Sequence, residues 1–276
     1  MVHFTRKEHY NLDDFRQVIE ILRHPGGCPW DQEQTHASIR RNLLEEAYEA
    51  AEAIDTENPD LLREELGDVL MQVLFHASIE ADGGRFDLDD VADEAVKKLI
   101  FRHPHVFGTV EVENSDQVLV NWDQLKRQEK HQERYTDTLD AVARSLPALW
   151  RAEKVQKKAA KAGFEWKNQA DYLDKLREEQ GEVEAALKGD GDLFEELGDL
   201  LFITVNLARF TGVDPEDALN AATEKFIRRF GRVEDQAQAQ GRDMAELPLE
   251  TLVAFWKRAK ESGVPCRNAQ RRSDDE

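Results

Sequence analysis

One arrangement of carboxylates occurs twice in this chain, and that repetition limits the possible folds more than any other feature. In the later copy, LREEQGEVEAALKGDGDLFEELGDLL (Leu176–Leu201), Glu178, Glu179 and Glu182 precede a Lys-Gly-Asp-Gly-Asp turn, and Glu196 and Asp199 follow it. In the earlier copy, LEEAYEA (Leu44–Ala50) carries Glu46 and Glu49, and REELGDVL (Arg63–Leu70) carries Glu65 and Asp68. Residues three apart share a helix face, so each pair of acids projects together. The short connection makes the two helices of each copy antiparallel neighbours, and four carboxylates then converge across the pair. Lys98 and Arg102 also reappear as Lys225 and Arg229, and Trp122 with Lys126 as Trp256 with Lys260, at separations of 127 to 134 residues. A period that long marks duplicated domains.

The remaining patterning is helical throughout, with no alternating β pattern. Leu12, Phe15, Val18, Ile19 and Leu22 follow helical spacing behind Asn11 as cap, and Thr35 starts a helix to about Ile54. Asn58-Pro59 opens the next helix, which Asp82-Gly83-Gly84 ends. A helix from about Leu88 to Arg102 stops before HPHVFG, and Asp116–Glu133 forms another. The charged, weakly patterned stretch Lys130–Arg144 reads as the boundary. Helices over about Pro147–Ala162, Asp171–Lys188 and Asp192–Arg209 follow, then a long one from Asp214-Pro215 and a last one holding Trp256 and Lys260. The expected architecture is all-α: an N-terminal helical-bundle domain over 1–135, a linker at 136–144, a C-terminal domain over 145–264 and a flexible tail at 265–276. Each domain is built around its acidic helix pair.

The formal charge of −20 argues against a nucleic-acid binder, since phosphate backbones call for clustered Lys and Arg. A nucleotide substrate stays open, because metal ions bridge carboxylate and phosphate. Cys28 and Cys266 offer neither a disulfide framework nor a zinc site. The first residues lack the apolar core of a signal peptide, and no apolar run reaches membrane length. These features lead us to expect a cytoplasmic protein without a membrane partner.

Most acidic runs are solvated helix faces, and that account suits Glu184 and Glu195. It suits Asp68 and Asp199 poorly, because each leads directly into an apolar helix. Leu173, Leu176, Val183 and Leu187 form a stripe with the acids expected beside it, and the following helix carries apolar residues around most of its circumference, which predicts burial. Close, partly buried carboxylates repel one another unless a cation compensates. An all-oxygen donor set selects Mg²⁺, with Mn²⁺ as substitute. A di-iron carboxylate centre competes, but the Glu-x-x-His spacing it needs occurs once, at Glu33 and His36, with no equivalent in the second copy. Lys225, Arg228 and Arg229 put positive charge on successive turns, where each alone would serve solubility and together they suit phosphate oxygens. Trp256 suits either a core or a base stack, with Lys260 one turn further along the same face.

With the opening CPWDQEQTHASIRRNLLEEAYE and the duplicated layout, these pairs resemble the MazG family of nucleoside triphosphate pyrophosphohydrolases over nearly the whole chain. The resemblance implies an all-α homodimer that hydrolyses a nucleoside triphosphate to monophosphate and pyrophosphate with Mg²⁺. It places metal ligands on Glu179, Glu182, Glu196 and Asp199; the internal repeat offers a second quartet at Glu46, Glu49, Glu65 and Asp68. Nucleotide contacts fall on Lys175–Glu179 (with Arg177 and Glu178), Asp192–Glu195, Lys225–Arg229 and Trp256. The expected mechanism is attack at the α-phosphorus by a metal-activated water, with Glu178 as candidate base. Activity is expected in the C-terminal domain, because LIFRHPHVFG replaces the continuous KFIRRFGRVE and interrupts the helix that would carry the basic residues. A nucleotide-sensing module without turnover is the competing reading.

Overall fold

The computed structural model describes residues 4–261, so the proposed tail at 265–276 and Cys266 lie outside the described residues. The helices are α1 Leu12–Arg23, α2 Pro29–Glu33, α3 His36–Asp55, α4 Pro59–Asp82, α5 Leu88–Arg102, α6 Pro104–Phe107 and α7 Ser115–Glu129. They continue as α8 Tyr135–Asp140, α9 Ala148–Lys161, α10 Gln169–Ala186, α11 Leu193–Phe210, α12 Pro215–Ala239, a 3₁₀ turn at Met244–Glu246 and α13 Leu249–Glu261. No strand occurs among the described residues, and none of these helices is long and apolar enough to cross a membrane.

Helix starts follow the capping chemistry of the sequence. The side chains of Asn11, Thr35, Asn58 and Asp214 each accept a backbone N–H of the first turn of α1, α3, α4 and α12, satisfying donors that a helix leaves open. Among the short helices not anticipated, α2 lies inside the Pro-Gly-Trp loop and α6 follows the break after Arg102. Each begins at a proline, which presets φ for a first turn.

The chain divides into two compact units, Met1–Lys126 and Arg127–Glu276, with the division inside α7 and ahead of the charge run at Lys130–Arg144. That run contains α8, which packs on α9 with Thr138 and Val142 buried. Its charged residues conceal a short buried face. In the first unit, Ile19 of α1, Ile39 of α3 and Leu74 with Phe75 of α4 form the core. In the second, Val233 and Ala237 of α12 pack with Leu247 and with Phe255 and Ala259 of α13. Helix α9 is tied to α11 by the Gln156 amide, which donates to the Phe202 carbonyl at 2.7 Å.

Candidate metal centre

The two acidic copies fold as antiparallel helix pairs, α3 with α4 and α10 with α11. Between α10 and α11 the chain reverses through Gly189 and Gly191 at φ 96° and 121°, a region that side chains with a Cβ rarely enter. A Cβ on Gly191 would stand 3.6 Å from Glu196 Oε1, so the turn passes directly beside the acids. In the first pair the left-handed turn position is Glu57, at φ 53°. Asp192, expected at the nucleotide, is the N-cap of α11 and accepts the Phe194 N–H at 2.9 Å.

On α10 the buried residues are Tyr172, Glu179 and Ala186, seven apart and hence on one line along the helix. Glu179 therefore sits within the buried line and not beside it. The expected stripe is half-buried at Leu173, Leu176 and Val183, while Leu187 is 67% exposed. The corresponding positions on α3 are Ile39 and Ala53, both buried, with Glu46 half-buried between them. Helix α11 also departs from expectation. Ile203 and Val205 are buried, but Phe194, Leu197, Leu201 and Phe202 are exposed in the single chain.

The line brings Glu179 against α11, where one carboxylate oxygen each from Glu179, Glu196 and Asp199 lies within 4.8 Å of the others. Glu182 stands just outside this triad, and its pKa is raised by a hydrogen bond with Glu179 and then by burial. Glu179 Oε2 is buried without a hydrogen-bond partner, an arrangement that leaves a strong acceptor unsatisfied. An all-carboxylate donor set with one oxygen open toward its neighbours fits a hard divalent cation such as Mg²⁺ or Mn²⁺. The corresponding group in the first unit is Glu46, Glu49 and Glu65, with Asp68 outside it. There, burial followed by the charges of Asp68 and Glu49 raises the Glu46 pKa, and burial followed by Glu49 raises that of Glu65.

The other expected site residues divide by helix. Lys175 bridges Glu178 and Glu179, whereas Arg177 is turned to Asp174 at 2.6 Å. Glu178 and Glu195 are exposed. Lys225, Arg228 and Arg229 lie on α12, and Trp256 and Lys260 on α13; these helices pack on one another, with Trp256 half-buried against the core and 5.1 Å from the Phe226 ring. None of these four cations forms an ion pair with the triad among the described residues. In the first unit, α5 continues through Arg102, so Lys98 and Arg102 share an unbroken helix and the interruption falls immediately after them. Arg102 is buried with its guanidinium 5.6 Å from the Trp122 ring, and His103 meets that ring edge-on. Packing thus occupies the groups that correspond to Arg229 and Trp256. The Glu33–His36 pair does not form one motif, because Glu33 ends α2 and His36 begins α3.

Two polar networks had no signal in local spacing, because their members are far apart in sequence. Arg209 donates to Glu165 at 2.6 Å, and the Tyr172 hydroxyl lies 3.3 Å from both, pinning the Gly-aromatic loop to α10 and α11. In the first unit, His36 lies 2.5 Å from Glu80 and, through its other nitrogen, 2.7 Å from His76. Arg85 completes this group by donating to Glu80, and that bond, followed by the one from His36, holds the Glu80 pKa at about 2 against an ordinary 4.5. A folded-state pKa below the ordinary value stabilises the fold above pH 4.5, and the gain disappears as pH falls toward 2. Glu80→Gln should therefore lower the thermal midpoint of the first unit near neutrality, with the deficit shrinking through that acid window. A deficit that does not change with pH would refute this assignment.

Known relatives bear directly on this duplicated carboxylate geometry. The model of the MazG nucleotide pyrophosphohydrolase domain matches residues 34–107 and again 167–233. The chain belongs to the MazG family. The two matches contain the α3–α4 and α10–α11 pairs, so this MazG chain is a tandem of two all-α domains. It is 45% identical over 258 residues to the nucleoside triphosphate pyrophosphohydrolase of Escherichia coli K12, covering 92% of this chain and 98% of that one. It is 43% identical to the nucleoside triphosphate pyrophosphohydrolase/pyrophosphatase MazG of Thermotoga maritima, covering 90% and 95%. The enzyme of Mycolicibacterium smegmatis is 44% identical over a shorter stretch of 155 residues, 55% of this chain and 47% of its own.

Proposed function

We propose that this MazG chain hydrolyses nucleoside triphosphates to nucleoside monophosphate and pyrophosphate at the α10–α11 carboxylates, with Mg²⁺ as cofactor and Mn²⁺ as substitute. The observation that carries this reading is the triad of Glu179, Glu196 and Asp199 around a buried, unpartnered Glu179 oxygen. A divalent cation bound there would neutralise triphosphate charge and lower the pKa of a bound water. Glu179, Glu196 and Asp199 would hold it, with Glu182 beside them as a fourth carboxylate. Glu178, exposed and next to Glu179 in the chain, would take a proton from the attacking water. Lys225, Arg228 and Arg229 offer donors for phosphate oxygens, and Trp256 and Lys260 lie on the helix packed against theirs. The first unit keeps its carboxylates but has Arg102 buried beside Trp122, which supports a structural or regulatory role in place of turnover.

A homodimer belongs to this reading. Phe194, Leu197 and Leu201 are 89%, 44% and 60% exposed along one side of α11, a larger apolar face than a lone helix keeps in water. Chromatography of the products tests the activity. Monophosphate plus pyrophosphate is the expected pair. Diphosphate plus phosphate would indicate an ordinary phosphatase, and tight Mg²⁺-nucleotide binding without product would indicate a sensor.

A further inference from the structure

The C-terminal cluster already contains one cation, and the corresponding position in the N-terminal cluster is uncharged. Lys175 Nζ lies 2.7 Å from Glu179 Oε1 and 2.8 Å from Glu178 Oε1. It stands one turn before Glu179 on α10, so its stem follows the helix and brings the ammonium over the carboxylate. The offset that relates Glu46 to Glu179 puts Asn42 where Lys175 stands. The neighbouring Arg41 is turned outward to Glu45 in a surface pair.

We propose that Lys175 is the resident counter-ion of the metal-free C-terminal cluster, and that a divalent cation must displace its ammonium from Glu179 in order to bind. The inference rests on reading this cluster as the metal site of a pyrophosphohydrolase. Three acidic side chains within a few ångströms repel one another, and Glu179 is nearly inaccessible to water, so folding this cluster needs compensation. Lys175 supplies it. The same ammonium opposes a dication, because the two charges would share one carboxylate only a few ångströms apart. The Lys175 side chain remains 32% exposed and Glu178 is 59% exposed, so the lysine can swing outward while keeping an anionic partner. A triphosphate beside the cluster offers the displaced ammonium a second anion, so triphosphate and metal should each favour binding of the other.

The test measures Mn²⁺ alone, without nucleotide, by calorimetric titration of the full chain carrying Glu46→Gln and Glu49→Gln to silence the N-terminal cluster. In this background Lys175→Met, which keeps most of the stem and removes the charge, should tighten Mn²⁺ binding on the order of tenfold. Lys175→Arg, which keeps the charge, should leave the weaker affinity in place. Mn²⁺ affinity in Lys175→Met that is unchanged or lower would overturn the proposal. Glu179→Gln and Glu196→Gln separate this outcome from failure of the site itself. If both abolish Mn²⁺ binding while Lys175→Met gives no gain, only the role of Lys175 is lost. If neither weakens binding, the metal reading fails and the proposal falls with it.

Discussion

Replacing Glu179 with Ala should lower Mg²⁺-dependent pyrophosphate release on the order of 10³-fold or more, while Glu46→Ala leaves the rate close to that of the unchanged chain. Glu179 is the carboxylate for which the fold provides the most specific setting. It lies on the buried line of α10 between Tyr172 and Ala186, faces Glu196 and Asp199 across the helix pair, and keeps one oxygen without a partner. Removing it takes away an anionic donor and also leaves Lys175 with Glu178 alone. Glu179→Gln is the informative companion, because it preserves shape and hydrogen-bonding capacity while removing the charge. Both variants should stay folded, since they relieve carboxylate repulsion. Initial rates with pyrophosphate detection, read beside helical circular dichroism, decide the matter. If Glu46→Ala alone abolished turnover, the active cluster would be the one on α3 and α4.

The second large effect is on stability. Tyr172→Ala should destabilise the C-terminal unit by about 3–5 kcal/mol, the range for deleting a buried aromatic ring. Tyr172 has no exposed surface, lies 4.4 Å from the Phe210 ring and 5.0 Å from that of Trp166, and reaches Glu165 and Arg209 through its hydroxyl. The ring fills the space where α10, α11 and the Gly-aromatic loop meet, and its loss leaves a cavity bordered by a polar pair. Tyr172→Phe keeps the ring and should cost only about 1 kcal/mol. A whole domain is stable by about 5–15 kcal/mol, so the alanine variant should show a clearly earlier denaturant transition. A transition within about 1 kcal/mol of the unchanged chain would show that the surrounding helices do not depend on the ring.

Much of this was legible in the sequence because the determining interactions are local. Asn11, Thr35 and Asn58 cap the helices that their positions suggested, and the three-residue spacing of Glu196 and Asp199 puts both acids on one face. What could not be read depends on partners distant in sequence. Glu179 lies in the buried line because Tyr172 finds Phe210 and Arg209 on the neighbouring helix, which no periodicity within α10 reveals. The burial of Arg102 follows from its contact with Trp122, and the low pKa of Glu80 depends on His36 and Arg85. Helix α8 was hidden because it lies in the run Lys130–Arg144, whose charged residues outnumber the buried Thr138 and Val142. The apolar run of α11 suggested full burial, yet Phe194, Leu197 and Leu201 stay open in one chain, the face that the proposed homodimer would cover.

Hydrolysis of a nucleoside triphosphate in ¹⁸O-labelled water, followed by mass spectrometry of both products, tests the central claim most directly. If water attacks the α-phosphorus at the α10–α11 carboxylates, the label appears in the monophosphate, pyrophosphate stays unlabelled, and Glu179→Gln produces neither. Label in pyrophosphate, or in free phosphate alongside a diphosphate, would contradict this account.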